Sequence, residues 1–267
     1  RGRVLRLKCY EIPMGSRAAK GTNIVNLLPL EQNEKVMSMI KVDEFSQGKY
    51  LVFVTRKGII KRTSLMAYNT ARKGGVIALT VDDDDELAWV RMTNGEGQLI
   101  VATKQGTAIR FDERDVRPMG RSARGVKAIS LEEGDEVIGM ARVREGATLL
   151  TVTEKGQGRR TDIAEYRLQS RGGKGIINYR TDEDKGLIAG IKIVNGDEDI
   201  IMITSDGIII RIPVSEIAVQ SRYAGGVRVM RVDESAKIVT VARAPREDEE
   251  STEEVLDTES DTSAVDT

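Results

Sequence analysis

An all-β, propeller-like fold is predicted for this 267-residue chain, and three observations predict it. A glycine-containing turn between two short apolar runs recurs about every fifty residues. The runs are β-branched and alternating, and none sustains the 3.6-residue period of a helix. The last run of each repeat places a small residue among larger ones, as strands crowding toward a central axis require.

Each repeat begins with a hairpin. The turns read RG at 1–2, RKG at 56–58, KQG at 104–106, EKG at 154–156 and SDG at 205–207. Four follow a strand-like run ending in Thr or Ser: YLVFVT, QLIVAT, LLTVT and IIMITS. Each leads into a second short run: VLRL, IIKR, TAIR, QGRR and IIIR. Two β runs joined by a turn containing Gly make a hairpin.

Ten residues after the turn glycine stands an apolar residue, Ile12, Tyr68, Val116, Tyr166 or Ile217, read as a core anchor. A second glycine follows: Gly21, Gly75, Gly125, Gly175 or Gly226. The repeats close with KVMSMIKV, ELAWVRM, EVIGMARV, GLIAGIKIV and KIVTVARA, where Ser38, Ala88, Gly139 and Gly190 are the small residues. Gly2 has no strand-like run before it, so about five visible blades are expected, the first truncated and belonging to a larger parent. The propeller occupies residues 1–245, and residues 246–267 form an acidic, disordered tail.

Composition excludes several functions. With no histidine, His-based triads and nearly every zinc site are ruled out. Cys9 is the only cysteine and is read as a strand residue rather than a nucleophile. The stretch LQSRGGKG at 168–175 fails both phosphate-loop patterns: no Ser or Thr follows Lys174, and Gly172 and Gly173 are adjacent. The acidic run VDDDDEL at 81–87 reads as a solvated turn rather than a metal site. No run has the length of a membrane span.

Charge gives the positive signal. The net charge of −1 divides into −9 on the tail and about +8 on the body. This suggests a polyanion partner, with the tail either a competitor for it or a solubilising segment. Cations recur just before or after the second glycine: Arg17 and Lys20, Arg72 and Lys73, Arg121 and Arg124, Arg171 and Lys174, and Arg222 with Arg228. Equal phase in a propeller means equal radius, so these loops are expected to ring the perimeter and suit a duplex wrapped on its edge. The second-anchor glycines would let the backbone approach phosphate.

The segments GRVLRLKCYEIP and SRAAKG, the T-x-x-G hairpins and YRLQSRGGKG resemble the C-terminal domain of the bacterial DNA gyrase A subunit, over residues 1 to about 243. The resemblance implies a six-bladed β-pinwheel with strands exchanged between blades, which binds and wraps duplex DNA and thereby supports negative supercoiling. That family carries a box, Q-[RK]-R-G-G-[RK]-G. Gln169, Arg171, Gly172, Gly173, Lys174 and Gly175 match it, with Ser170 the exception. Its position in the fourth repeat implies that the authentic box precedes Arg1. The resemblance further implies a monomeric domain without catalytic residues or cofactor. ATP, magnesium, the cleavage tyrosine and the B subunit of an A2B2 cytoplasmic, nucleoid-associated enzyme lie elsewhere. The C-terminal domain of the topoisomerase IV A subunit, or else a protein-binding propeller scaffold, is the alternative.

Overall fold

The computed structural model describes residues 2–16, 18–32 and 34–246. The predicted tail beyond Arg246 lies outside them. Among the described residues every regular element is a strand or a short 3-10 turn.

The hairpins explain the T-x-x-G pattern. The N–H groups of Gly58, Gly106, Gly156 and Gly207 donate to the carbonyls of Thr55, Thr103, Thr153 and Thr204, each at 3.1 Å. Each Thr hydroxyl then accepts the N–H of the residue after the glycine, again at 3.1 Å. The glycines hold φ between 81 and 94°, where an L side chain is strained. Space is short as well: a Cβ on Gly106 would lie 2.0 Å from the Tyr179 carbonyl oxygen, which belongs to the next repeat.

Repeats two to five each build a sheet. Tyr50–Thr55 pairs antiparallel with Ile59–Ser64 on one side and with Leu87–Thr93 on the other. Gln98–Thr103, Thr148–Thr153 and Glu198–Thr204 repeat the arrangement with their own neighbours. The outermost strand comes from the following repeat: Val126–Lys127 pairs with Ile59–Ser64, Ile176–Ile177 with Thr107–Asp112, and Val227–Arg228 with Gln157–Asp162. Among the described residues the fifth repeat's sheet has three strands, without this outer addition.

The closing strands lie innermost. A Cβ on Gly139 would meet the Ile191 side chain at 2.5 Å, and one on Gly190 would meet Val241 at 3.4 Å. Small residues at these positions therefore let neighbouring closing strands pack. Cores form between sheets, so the leading strands of repeats two to four are buried on both faces and read as continuous apolar runs, while Ile201 and Ile203 of the fifth are only half-buried. Val52 and Val54 pack toward the third repeat, while Leu51 and Phe53 pack toward the first. Tyr68, Val116, Tyr166 and Ile217 are each 1% exposed, as core anchors should be.

The first repeat departs from expectation. Instead of a fifth blade there is a two-stranded pair, Arg3–Val4 with Val76–Ile77. KVMSMIKV at 35–42 forms no strand, and no described strand shares a ladder with it. Ser38 therefore lies on no closing strand, and the expected anchor Ile12 is 45% exposed with no adjoining sheet to cover it. Cys9 is exposed in the 3-10 turn Cys9–Glu11, not in a strand.

Candidate nucleic-acid interface

The loops of repeats two to five lead directly into exchanged strands; those after 121–125, 171–175 and 222–226 are the outermost of four-stranded sheets. The sequence pattern thus places these loops on the rim. Two sets of bonds dock them on the preceding repeat. The approach to three of them bridges in parallel to that repeat's second strand, at Arg62 with Pro118, Arg110 with Leu168 and Arg160 with Val219. The second glycine then passes over the same strand. A Cβ would lie 2.6 Å from the Val4 carbonyl oxygen at Gly75, 2.6 Å from that of Ile60 at Gly125, and 2.5 Å from that of Ala108 at Gly175. At Gly226 it would meet the Tyr179 hydroxyl at 2.4 Å. These glycines have a packing role: they let the exchanged strand cross onto its neighbour.

The support beneath the loops alternates. Under 121–125 lies Lys61, fully buried, whose ammonium donates to the carbonyls of Arg121 and Ala78. Under 222–226 lies Arg159, 1% exposed, donating to the carbonyls of Arg222 (2.6 Å), Ala224 (2.8 Å) and Asn178, and stacked 4.3 Å from the centre of the Tyr179 ring. Burial lowers both pKa values, that of Lys61 to about 8, with Arg121 adding repulsion there. The matching residue under 169–175 is Ile109, which a Cβ on Gly173 would touch at 3.7 Å. Here the Gly172 N–H donates to Ala128, the Ser130 hydroxyl donates to the Gly172 carbonyl, and the Ser130 N–H donates to the Gly173 carbonyl.

The predicted cations divide by environment. Lys20, Arg72, Lys73, Arg124, Lys174 and Arg228 are exposed, whereas Arg121, Arg171 and Arg222 are half-buried. Arg17 lies outside the described residues. Arg171 donates to the carbonyls of Asp115 (2.9 Å) and Lys127 (3.1 Å), and Arg222 to that of Ile177, so these two fasten their loops to the preceding repeat. The backbone N–H of Gln169 donates to Arg110 at 2.9 Å. Lys174 pairs with Glu132 at 3.1 Å and Arg124 with Asp82 at 2.9 Å.

Sequence reasoning passed over three exposed cations. Arg117 and Arg167 each follow a core anchor, and Lys127 occupies the place on its outer strand that Arg228 occupies on another. Their constant offset from the anchors was the available signal. Part of the body's charge is internal instead. Arg110 clamps the 3-10 turn of the next repeat through the carbonyls of Ile163 (2.8 Å) and Tyr166 (3.0 Å), and Arg160 does the same through Ile217 (2.7 Å).

Successive strand-exchanged sheets, with exposed cations recurring beside the outer strands, define a propeller-like β domain. Five segments, 1–43, 49–94, 97–144, 147–195 and 198–245, match the family described as DNA gyrase C-terminal domain, beta-propeller. The chain belongs to that family. It is 47% identical over 254 residues to the DNA gyrase A subunit of Clostridium acetobutylicum, covering 95% of this chain and 31% of that protein. Against the DNA gyrase A subunit of Halalkalibacterium halodurans it is 56% identical over 250 residues, covering 94% and 30%. The chain thus spans about a third of the length of these relatives. Its structure is similar to the C-terminal domain of DNA topoisomerase IV (TM-score 0.85, 26% identity, 91% of this chain and 76% of that one). It is also similar to the DNA gyrase A C-terminal domain (TM-score 0.79, 26% identity, 91% and 79%). No helix among the described residues is long and apolar enough to cross a membrane.

Proposed function

We infer that this chain binds duplex DNA along its rim without catalysis and wraps it, so that a gyrase containing it introduces negative supercoils. The observation that carries the reading is the recurrence of exposed cations within two residues of the second glycine of successive repeats: Lys73, Arg124 and Lys174 on the loops, with Lys127 and Arg228 on the outer strands. Phosphate contacts need charge and position rather than base identity, and among the described residues no α-helix is offered to a groove, so base preference should be small. Cleavage chemistry, ATP and magnesium would belong to other parts of an A2B2 assembly acting on cytoplasmic, nucleoid DNA.

The test is a gel shift of linear duplex by the full chain at 50 and 200 mM salt. With ~6 phosphates contacted, affinity should fall roughly 10³-fold over that range. A flat salt response, or no shift at low salt, removes the reading.

A further inference from the structure

Two exposed ion pairs on the rim are copies of one another. In each, the cation comes from a loop before an exchanged strand, and the acid from the acidic turn of the preceding repeat. Arg124 meets Asp82 at 2.9 Å and Lys174 meets Glu132 at 3.1 Å. Asp82 and Glu132 hold the same place in successive repeats, as do Arg124 and Lys174. The next repeat supplies an internal control. There Gly225 stands where the cation would be, and the corresponding Asp182 instead pairs with Lys185 of its own turn.

Several other acids of these turns have partners of their own. Asp85 accepts the N–H groups of Lys57 and Glu86, and Asp135 those of Gln105 and Glu136. Asp84 pairs with Lys57, and Glu86 with Arg56. Asp82 and Glu132 have only the rim cations as side-chain partners among the described residues.

We propose that Asp82 and Glu132 are in-chain substitutes for phosphate, competing with DNA for Arg124 and Lys174 and so setting how strongly each loop grips. The inference rests on the DNA-binding reading. A carboxylate and a phosphate are alternative anionic acceptors for the same donor. Both pairs are well exposed, at 72% and 56% for Arg124 and Asp82 and 80% and 68% for Lys174 and Glu132, so each is weak enough to be displaced. Each displacement costs the ion pair that DNA must break. Losing the acid should therefore strengthen binding, most at low salt where screening is weakest.

The experiment measures duplex affinity of the full chain at 50 mM salt for Asp82→Asn, Glu132→Gln and Glu145→Gln, the last being an exposed acid with no cation partner among the described residues. Asp82→Asn and Glu132→Gln should each tighten binding about 2- to 5-fold, and Glu145→Gln by less than about 1.5-fold. The gain from Asp82→Asn should largely vanish when Arg124→Ala is already present, and that from Glu132→Gln when Lys174→Ala is. Unchanged affinity in both variants overturns the proposal. So does an equal gain from Glu145→Gln, or gains that persist without the cations, because net charge alone would then explain them. If the unaltered chain does not shift DNA at all, the DNA reading fails and this inference with it. Binding by the unaltered chain with no response to the acids sinks the inference alone.

Discussion

The loops 121–125 and 169–175 share a phase, a second-anchor glycine and a pair of cations, yet they are held in different ways. Beneath the first a buried ammonium gathers backbone carbonyls, and 222–226 repeats this device with a guanidinium. Beneath 169–175 the same position is aliphatic, and Ser130 and Ala128 hold the two glycines from the side. Thr80 makes the equivalent side bond to Ser122 at 2.8 Å, so 121–125 has both supports. The difference teaches that loop shape is conferred by acceptor satisfaction from below or from the side. The exposed charge above is a separate layer.

Exchanging the supports breaks the comparison most severely. Ile109→Lys would place an ammonium where the Gly172 and Gly173 carbonyls already have donors, and is expected to cost about 3–5 kcal/mol in denaturant unfolding. A near-neutral result would mean that any blade accepts either support. Arg159→Ala comes next. It leaves the carbonyls of Arg222, Ala224 and Asn178 without this donor and opens a void, for about 3 kcal/mol and a matching loss of Tm.

Smaller is the pH signature of Lys61. Its pKa in the folded state is about 8, below its ordinary value of 10.5, so over that interval the unfolded chain binds more protons. Stability should therefore rise with pH, by about 2 kcal/mol between pH 8 and 10 from this lysine. Lys192, also lowered to about 8 by burial with Arg91 and Arg243 nearby, adds a rise of the same sign. Lys61→Met should remove Lys61's share, read by urea unfolding across that range, and an unaltered slope would show that the ammonium is not desolvated. The smallest expected difference is in DNA binding. Arg121→Ala with Arg124→Ala should lower the salt slope by up to ~2 units, and Arg171→Ala with Lys174→Ala by ~1, because Arg171 already serves the carbonyls of Asp115 and Lys127. Equal slopes would indicate that Arg171 turns outward to meet phosphate.

The repeat, its turns and its core were open to reading because glycines with positive φ and buried anchors leave periodic marks. Tyr68, Val116, Tyr166 and Ile217 follow from spacing alone. Lys61 and Arg159 could not be recognised as buried. They sit in the doublets Lys61–Arg62 and Arg159–Arg160, which look like basic surface, and their partners are backbone carbonyls without any sequence signature. The glycines before the exchanged strands were visible as a pattern, but their reason was hidden. Only the crossing of one repeat over another distinguishes a packing glycine from one reserved for a ligand.

Strand exchange also has a mechanical consequence. Each rim loop is covalently continuous with a strand of its own repeat and hydrogen-bonded to the sheet before it. A pull on Lys174 is thus shared between two sheets: through Gly175 into Ile176–Ile177 and its ladder with Thr107–Asp112, and along the chain into the closing strand Ile188–Val194. On the function proposed above, tension from a bent duplex would spread through the exchanged strands as through interlocked clasps, and no blade would bear it alone.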